Sequence, residues 1–256
     1  MKTSSRKLFI CFAAKDRYDV VQSIVYHLKN YGVNIWYDRY ELVMGDDRIK
    51  KNIEEGVGKC EYALIILTKN TANSMCATEE IAVLESRYRN KEVVIFPILY
   101  ELKPYDIHHK FEWIKTLIFK EINRGTGTLE ICNHIACKVT FDILDNCKYR
   151  TIKEVVNDKL QLLPTIVVSL LDKYTKIDNA NLNSRVTLLY ATYLIICESE
   201  NLIRGHLFEI PYKVFERLFS ETLLNLSIDY RELWLLENSM CILIECYIES
   251  CIESNI

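Results

Sequence analysis

The stretch "YALIILTKNTANSMCATEEIAVLESRYRN" (62–90) contains a strand, a loop and a helix in succession. Its opening run, "YALIILT", is typical of a strand that is buried on both faces. Further on, Ile81, Leu84 and Tyr88 recur at helical spacing and predict a helix that packs against a sheet. Two adjacent carboxylates, Glu79 and Glu80, are expected in the first turn, where acids meet the positive end of the helix dipole. The stretch therefore predicts one strand–helix unit of an α/β fold. It also raises the question of whether one of the two glutamates is catalytic.

The same alternation extends over the first 146 residues. Strand-forming runs are predicted at 7–12, 33–38, 62–68 and 93–100, with a fifth strand inside 113–119; the predicted helices cover 16–32, 46–60, 73–90 and 128–145. In the second of these helices, Ile49, Ile53 and Val57 are spaced by four residues and predict its buried face. Alternating strands and helices predict a parallel sheet that is covered on both faces. We therefore expect a five-stranded, flavodoxin-like α/β domain, whose ligands bind beyond the carboxyl ends of the strands.

The second half of the chain has a different character. From residue 148 onward the apolar residues follow a helical period, and no convincing strand alternation occurs. Residues 1–150 carry 23 Lys and Arg against 20 Asp and Glu, whereas residues 151–256 carry 9 against 15. We therefore divide the chain into an α/β domain at 1–147 and an all-α domain of four or five helices at 148–256.

Composition excludes several classes of protein. No apolar run follows "MKTSSRK" and no later stretch is long and charge-free, so we expect neither a signal peptide nor a membrane-spanning helix. Neither half has the concentrated basic face of a nucleic-acid binder. Ten cysteines without a CxxC pair indicate reduced thiols in a cytoplasmic protein, and no metal site is expected.

Several familiar catalytic motifs are missing. The turn after the first strand, "CFAAKDRY" (11–18), contains no glycine, so it matches neither a Walker loop nor a dinucleotide fingerprint. The chain also contains no GxSxG elbow and no HExxH sequence. Conventional Rossmann and hydrolase chemistry is thus not expected.

Four motifs in order resemble the Toll/interleukin-1 receptor (TIR) domain in its bacterial form, over roughly residues 6–146. They are "FICFAAKD" (9–16), "IWYDRYELVMGDDRIKKNIEEGV" (35–57), "ALIILTKNTANSMCATEEI" (63–81) and "FPILYELKP" (96–104). Nothing recognisable covers 148–256. The resemblance implies one of two functions. Some TIR domains cleave the nicotinamide–ribose bond of NAD⁺, giving ADP-ribose or a cyclic isomer, and bacterial members commonly serve antiphage defence. Others are non-enzymatic modules that act by self-association.

The resemblance also implies a single catalytic glutamate at the start of the helix after the third strand. Counting without gaps from Asn70 assigns this role to Glu80 and puts Cys76 where the family has Trp. Anchoring on the family's neighbouring Cys would select Glu79 instead. Glu80 is favoured because it borders the apolar stripe of its helix, and the helix N-terminus is expected to keep it ionised.

Other residues in these loops are candidates for binding NAD⁺, which is expected as substrate, with no separate cofactor. Lys15 and nearby helix-start amides could hold the pyrophosphate. The remaining candidates from the resemblance are Phe12, Ala13, Asp38, Tyr40 and Cys76. A plain structural role is the alternative for each: for Asp38 this role is to fix the loop after its own strand, and for Phe12 it is a place in the buried core.

Two regions are expected to mediate self-association. The first is the loop 38–47, the family's BB loop, in which Leu42, Val43 and Met44 concentrate apolar surface. The second is the helical domain 148–256, whose final helix is apolar around much of its circumference and is expected to be covered internally or by a partner. No catalytic constellation is visible there, and no polar pocket signature stands out, so self-association is placed ahead of ligand sensing.

Overall fold

The α/β half of the protein is built around one parallel sheet. The computed structural model describes residues 7–158, 161–198, 209–223 and 228–253. Five strands pair in the order β2-β1-β3-β4-β5, every pair parallel. They are β1 (Leu8–Cys11), β2 (Ile35–Trp36), β3 (Tyr62–Leu67), β4 (Val94–Tyr100) and β5 (Lys120–Ile122). This is the strand order of flavodoxin-like folds, and it confirms the predicted α/β class.

Helices and short turns connect the strands. The α-helices of this half are α1 (Gln22–Asn30), α2 (Asp38–Glu41), α3 (Met75–Arg89) and α4 (Leu129–Leu144). A 3₁₀ turn at Ala14–Asp16 and a π-helical turn at Arg17–Val21 precede α1, and a longer π-helical segment covers Ile49–Val57. The segments before α4 lie between consecutive strands and form the crossovers that parallel pairing requires, whereas α4 follows the last strand.

The core lies where β3 meets its two neighbours and α3. All six residues of β3 are buried, because the strand pairs with β1 on one side and β4 on the other. On α3, Ile81 and Leu84 are fully buried in the same apolar cluster as Phe9 and Trp36. The helical stripe read from the sequence therefore faces the sheet, and it fixes which side of α3 points toward the strand ends.

The predicted position of the fifth strand was wrong. The apolar run 113–119 does not form a strand: residues His109–Thr116 form a 3₁₀ helix, and β5 begins at Lys120. In this helix Phe111 and Ile114 are buried, three residues apart, which matches the 3₁₀ repeat of three residues per turn. A short apolar run could not distinguish this spacing from that of a strand.

The predicted buried face of the helix at 46–60 was also partly wrong. Ile49 is exposed and Ile53 half-buried, whereas Asn52, Gly56 and Val57 are buried. The segment is π-helical, so its repeat is longer than the α-helical one and its inward face rotates away from the four-residue stripe. A Cβ on Gly56 would lie 2.9 Å from the Trp36 ring and 3.0 Å from the Phe9 ring, so glycine permits this close approach.

The second half is helical in the described residues, as predicted. It contains α5 (Ile152–Asn157), α6 (Thr165–Lys176), α7 (Leu182–Glu198), α8 (Glu209–Leu223) and α9 (Tyr230–Glu253). Buried Leu, Ile and Cys side chains lie along much of α9. Within the described ranges, no helix has the length and apolar character that crossing a membrane requires.

The contacts of the chain divide it into two compact units. One unit comprises the residues from Asn133 onward together with Asn30–Gly32, and the other comprises Val33–Cys132 with the segment that ends at Lys29. The division falls inside α4, and Asn133 bonds to Tyr31 and to Glu232 of its own unit. The domain boundary at 147 stays a prediction.

Candidate active site

Glu80 lies at the carboxyl edge of the sheet, on the buried side of α3. The helix begins at Met75, and its N-cap residue Ser74 accepts a hydrogen bond from the backbone N–H of Ala77 at 3.4 Å. Glu80 is therefore the sixth residue of α3, and the expectation that both glutamates lie in the first turn was wrong. Glu80 is 7% exposed, in line with its position beside the apolar stripe.

The carboxylate of Glu80 has two uncharged polar neighbours. Asn52 Nδ2 donates a 2.6 Å hydrogen bond to Glu80 Oε1. The Cys11 thiol at the end of β1 donates to the Ala77 carbonyl oxygen at 3.8 Å and lies beside the same carboxylate. Burial raises the pKa of Glu80 to about 7, although these two neighbours lower it; the charge of Asp38 raises it further and that of Arg48 lowers it. The helix dipole thus does not keep Glu80 fully ionised, because burial outweighs it at a position beyond the first turn.

Glu79 has a different environment one residue earlier. Its side chain is 42% exposed and forms an ion pair of 2.7 Å with Arg48, which precedes the π-helical segment. Exposed pairs of this kind contribute little to stability. The two adjacent glutamates are thus separated by burial: one carboxylate is enclosed next to neutral donors, and the other is at the surface with a cation.

Phe12 and Asp38 are joined by a residue that the sequence analysis did not select. Arg17 donates two hydrogen bonds to the carboxylate of Asp38, at 2.6 and 2.7 Å, and one of 3.1 Å to the Tyr37 hydroxyl. Its guanidinium also lies 5.0 Å from the centre of the Phe12 ring, close enough for a cation–π contact. Phe12 follows β1 and Asp38 follows β2, so the pairing of these strands brings the group together.

The other candidates occupy more varied positions. Ala13 is buried, and its carbonyl accepts a 2.8 Å hydrogen bond from the Asp16 N–H, whereas Lys15 in the same turn is exposed. Tyr40 is exposed, packs edge-on against Tyr37 and carries Lys29 Nζ 3.8 Å from its ring centre. Cys76 is exposed in the first turn of α3. These contacts place Tyr40 toward α1 and give no evidence that it faces Glu80.

The BB loop is partly helical and ends in a tight turn. Its first four residues form α2, and Asp46 closes the turn by accepting a 2.8 Å hydrogen bond from the Val43 N–H. Gly45 has φ +102, a conformation that L side chains rarely adopt. Val43 and Met44 are 72% and 101% exposed, as the sequence analysis expected for a contact surface.

An open cavity of about 470 Å³ lies at the same edge of the sheet, after β3 and β4. Its lining residues are Leu67, Thr68, Lys69, Ala72, Asn73, Leu102, Asp106, Ile107, His108 and Phe111. The loop after β3 is held by Asp16, which accepts hydrogen bonds from Thr68 Oγ1 at 2.7 Å and Asn70 Nδ2 at 2.5 Å. The cavity falls in the segments 68–78 and 100–112, where the sheet topology predicts ligand binding.

Asn52 and Arg17 are the two site residues that sequence reasoning missed. Asn52 lies outside the apolar stripe read from 46–60, and only the π-helical repeat turns it inward. Arg17 had a usable signal, because a base after β1 and an acid after β2 meet whenever those strands are neighbours. Both loops were expected at the site, but the pairing of their charges was not predicted.

Comparison with known protein families agrees with the resemblance of the α/β half to TIR domains. Residues 8–124 match the family described as "TIR domain". The chain is 29% identical over 100 residues to the 2′ cyclic ADP-D-ribose synthase BtTIR of Bacteroides thetaiotaomicron, a match covering 39% of this chain and 34% of that protein. It is 31% identical over 101 residues to the NAD(+) hydrolase TcpC of Escherichia coli O6:H1, covering 39% and 32%.

The family match lies in the α/β half, and the aligned region spans about a third of each of these relatives. Among solved structures, the TIR domains of the activated Roq1 resistosome match 43% of this chain and 69% of that chain, with 20% identity and a TM-score of 0.38. The family match and the relatives, together with the sheet order established above, identify residues 8–124 of this protein as a TIR domain.

Proposed function

We propose that the protein cleaves the nicotinamide–ribose bond of NAD⁺, as an NAD⁺ nucleosidase or ADP-ribosyl cyclase, with Glu80 as the catalytic residue. The observation that carries the proposal is the burial of one glutamate at the carboxyl edge of the sheet, next to the neutral donor Asn52. The names of the relatives, an NAD(+) hydrolase and a 2′ cyclic ADP-D-ribose synthase, support this substrate. NAD⁺ is the substrate and no further cofactor is required.

The chemistry explains why one carboxylate is sufficient. Breaking an N-glycosidic bond develops positive charge on the ribose, as in glycoside hydrolysis. Nicotinamide is already cationic in NAD⁺ and leaves as a neutral molecule, so its departure needs no general acid. An ionised Glu80 stabilises the developing charge, and its low-dielectric surroundings strengthen that interaction. The cationic nicotinamide ring lowers the pKa of Glu80 when it binds, so substrate favours the active form.

The remaining candidates are assigned to substrate binding as part of this proposal. Phe12 and Asp38 are joined through Arg17 beside the end of β1, which supports a binding role for that group. Lys15 is assigned to the pyrophosphate, and Ala13, Tyr40 and Cys76 to the surrounding wall. Because Arg17 lies near the Phe12 ring, a base that stacks on the same face must displace the guanidinium.

Two matched variants test the catalytic assignment. Glu80→Gln keeps the shape of the side chain and its acceptor for Asn52 but removes the negative charge, so we expect no nicotinamide release from NAD⁺. Glu79→Gln, one residue away, is expected to retain activity. Nicotinamide is measured by chromatography with concentrated protein. Activity in Glu80→Gln, or its loss only in Glu79→Gln, would contradict the assignment.

A second candidate function is a non-enzymatic TIR–TIR interaction module. The exposed apolar turn at Val43 and Met44 favours it, since such surface is typical of contact sites. Self-association through this loop and through the helical domain is also compatible with catalysis, as a means of control. Met44→Lys is expected to weaken assembly in light scattering, whereas Ile118→Lys, at an equally exposed apolar residue outside the loop, is the control. Assembly without NAD⁺ cleavage at any concentration would favour the module.

We further propose a cytoplasmic location and a role in antiphage defence. No disulfide joins any of the ten cysteines, all of which lie in the described residues, and this supports a reducing compartment. A cell in which NAD⁺ cleavage is triggered loses its nucleotide pool, which would limit phage replication. To test this role, cells that carry the wild-type gene or the Glu80→Gln variant are infected with phage, and the phage yields are compared. Equal yields from the two kinds of cell would argue against the role.

A further inference from the structure

A second cavity, of about 280 Å³, lies entirely within the helical unit. Its lining comes from the start of α5, the end of α6, α7 and the first half of α9, and it includes Arg150, Lys153, Arg185, Trp234, Glu237 and Asn238. Its volume lies near the lower limit of about 300 Å³ that is typical of small-molecule pockets. It suits a compact ligand, not a polymer.

The lining is positively charged although the surrounding sequence is acidic. Three cations, Arg150, Lys153 and Arg185, line the cavity with one carboxylate, Glu237. That carboxylate accepts a 2.8 Å hydrogen bond from Arg185 Nη2 and another from the Tyr174 hydroxyl. Arg150 is paired with Asp145, which lies outside the lining, at 2.9 Å. With Arg185 and Arg150 each paired to a carboxylate, Lys153 leaves one net positive charge at the cavity, and this charge favours an anion.

Two buried donors of the lining have no hydrogen-bond partner among the described residues. They are Nδ2 of Asn238, whose residue is 5% exposed, and Nε of Arg185, whose side chain is 13% exposed. A buried polar group without a partner is costly, about 1–3 kcal/mol, and calls for an explanation such as a missing ligand. The two donors lie on α9 and α7, so one ligand with acceptor atoms could satisfy both.

The aromatic wall of the cavity is held in a fixed orientation. The indole ring of Trp234 stacks on Phe141, with ring centres 6.1 Å apart and planes inclined by 16°. Trp234 is still 37% exposed, so it is available to a planar group. An aromatic surface held by packing binds a flat ring with little loss of conformational entropy.

We propose that this cavity of the helical unit binds a small organic anion that joins a phosphate or carboxylate group to a planar ring. The anionic group lies near Lys153 and Arg185, and the ring lies against Trp234. An acceptor atom of the ligand accepts a hydrogen bond from Asn238 Nδ2. No local sequence pattern predicts this pocket, because its residues come from four separate helices. The inference is independent of NAD⁺ cleavage by the TIR domain.

The probe for the experiment is AMP, which carries both a phosphate and a planar ring. Isothermal titration calorimetry on the full chain is expected to show AMP binding at least tenfold more tightly than adenosine, which lacks the charge, or inorganic phosphate, which lacks the ring. Benzoate in place of AMP distinguishes a carboxylate from a phosphate as the anionic group. Equal binding of adenosine and AMP would overturn the proposal, since it requires the anion.

Variants separate this cavity from any nucleotide binding by the TIR domain. Lys153→Gln and Asn238→Leu are each expected to weaken AMP binding at least fivefold, whereas Lys173→Gln, at an exposed lysine of α6 outside the lining, leaves it unchanged. Asn238→Leu should not lower the unfolding temperature, because the buried Nδ2 donor that it removes has no partner among the described residues. The proposal is overturned if neither AMP nor benzoate binds at millimolar concentration, or if Lys153→Gln and Asn238→Leu both bind the probe like the wild type.

Discussion

Replacing Glu80 with glutamine is expected to stabilise the TIR domain at pH 8 while it abolishes turnover. In the folded protein the pKa of Glu80 is about 7, against an ordinary value of 4.5 in the unfolded chain. Below pH 4.5 the carboxyl is neutral in both states and burial has no electrostatic cost. Above pH 7 it is ionised in both states, and the buried charge destabilises the fold. A shift from 4.5 to about 7 corresponds to about 3 kcal/mol, because one pKa unit is about 1.4 kcal/mol.

The predicted gain therefore depends on pH. Glutamine is neutral and can still accept the hydrogen bond from Asn52, so Glu80→Gln removes the charge and keeps the contact. We expect it to be more stable than the wild type by about 3 kcal/mol at pH 8 and by about 1 kcal/mol at pH 5, where only the unfolded glutamate is largely ionised. Glu79→Gln removes an exposed ion pair and should change stability by less than about 1 kcal/mol at either pH.

Native-state hydrogen exchange on the full chain measures the difference in unfolding free energy for the α/β unit separately from the helical unit. The amides of β3 are the probes, because this strand is buried in the TIR core and opens only when that core unfolds. The reasoning is refuted if Glu80→Gln is less stable than the wild type at pH 8. It is equally refuted if the difference is the same at both pH values, because a cost of buried charge must disappear in acid.

The other predictions concern the pH dependence of activity, the ion pair beside the site and the packing of the sheet. If ionised Glu80 acts in catalysis, kcat/KM for NAD⁺ cleavage should rise about tenfold from pH 6 to pH 8 through an apparent pKa near 7. Asn52→Leu should move this rise to higher pH, because it removes a hydrogen bond that lowers the pKa of Glu80. A flat pH profile would contradict the role of Glu80. A double-mutant cycle of Arg17→Gln and Asp38→Asn, followed by urea unfolding, should give a coupling energy of about 1–2 kcal/mol, and strict additivity would show that the pair is inert. Gly56→Ala should destabilise the protein by about 1–3 kcal/mol in the same assay, because the new Cβ meets two aromatic rings; an unchanged unfolding midpoint would mean that the segment moves freely.

Several features of the site could be read from the sequence because they depend on local patterns. The stripe of Ile81 and Leu84 fixes which side of α3 faces the sheet. The burial of Glu80 follows from its place beside that stripe. The order of buried strands and helices gives the parallel sheet, and its carboxyl edge is where the loops with Phe12 and Asp38 meet. The TIR motifs add the expected chemistry, which the fold alone would not supply.

Other features depended on distances between segments far apart in the chain. Asn52 faces Glu80 only because the segment Ile49–Val57 is π-helical, and the hydrogen bond joins residues 28 positions apart. The raised pKa of Glu80 is likewise a property of burial, which overrides the dipole effect expected from its place near a helix start. No sequence pattern gives the degree of burial of one carboxylate.

The sequence by itself thus determined the α/β class, the helical second half, the TIR resemblance and the place of Glu80 on the buried side of α3. These follow from periodicity and motif order, which are set by residues close together in the chain. The tertiary structure alone decided the position of β5, the pairing of Arg17 with Asp38, the contact of Asn52 with Glu80 and the cationic cavity among α5, α6, α7 and α9. Each of these arises when distant segments pack side by side, and the energy of such contacts depends on burial and geometry that no local pattern encodes.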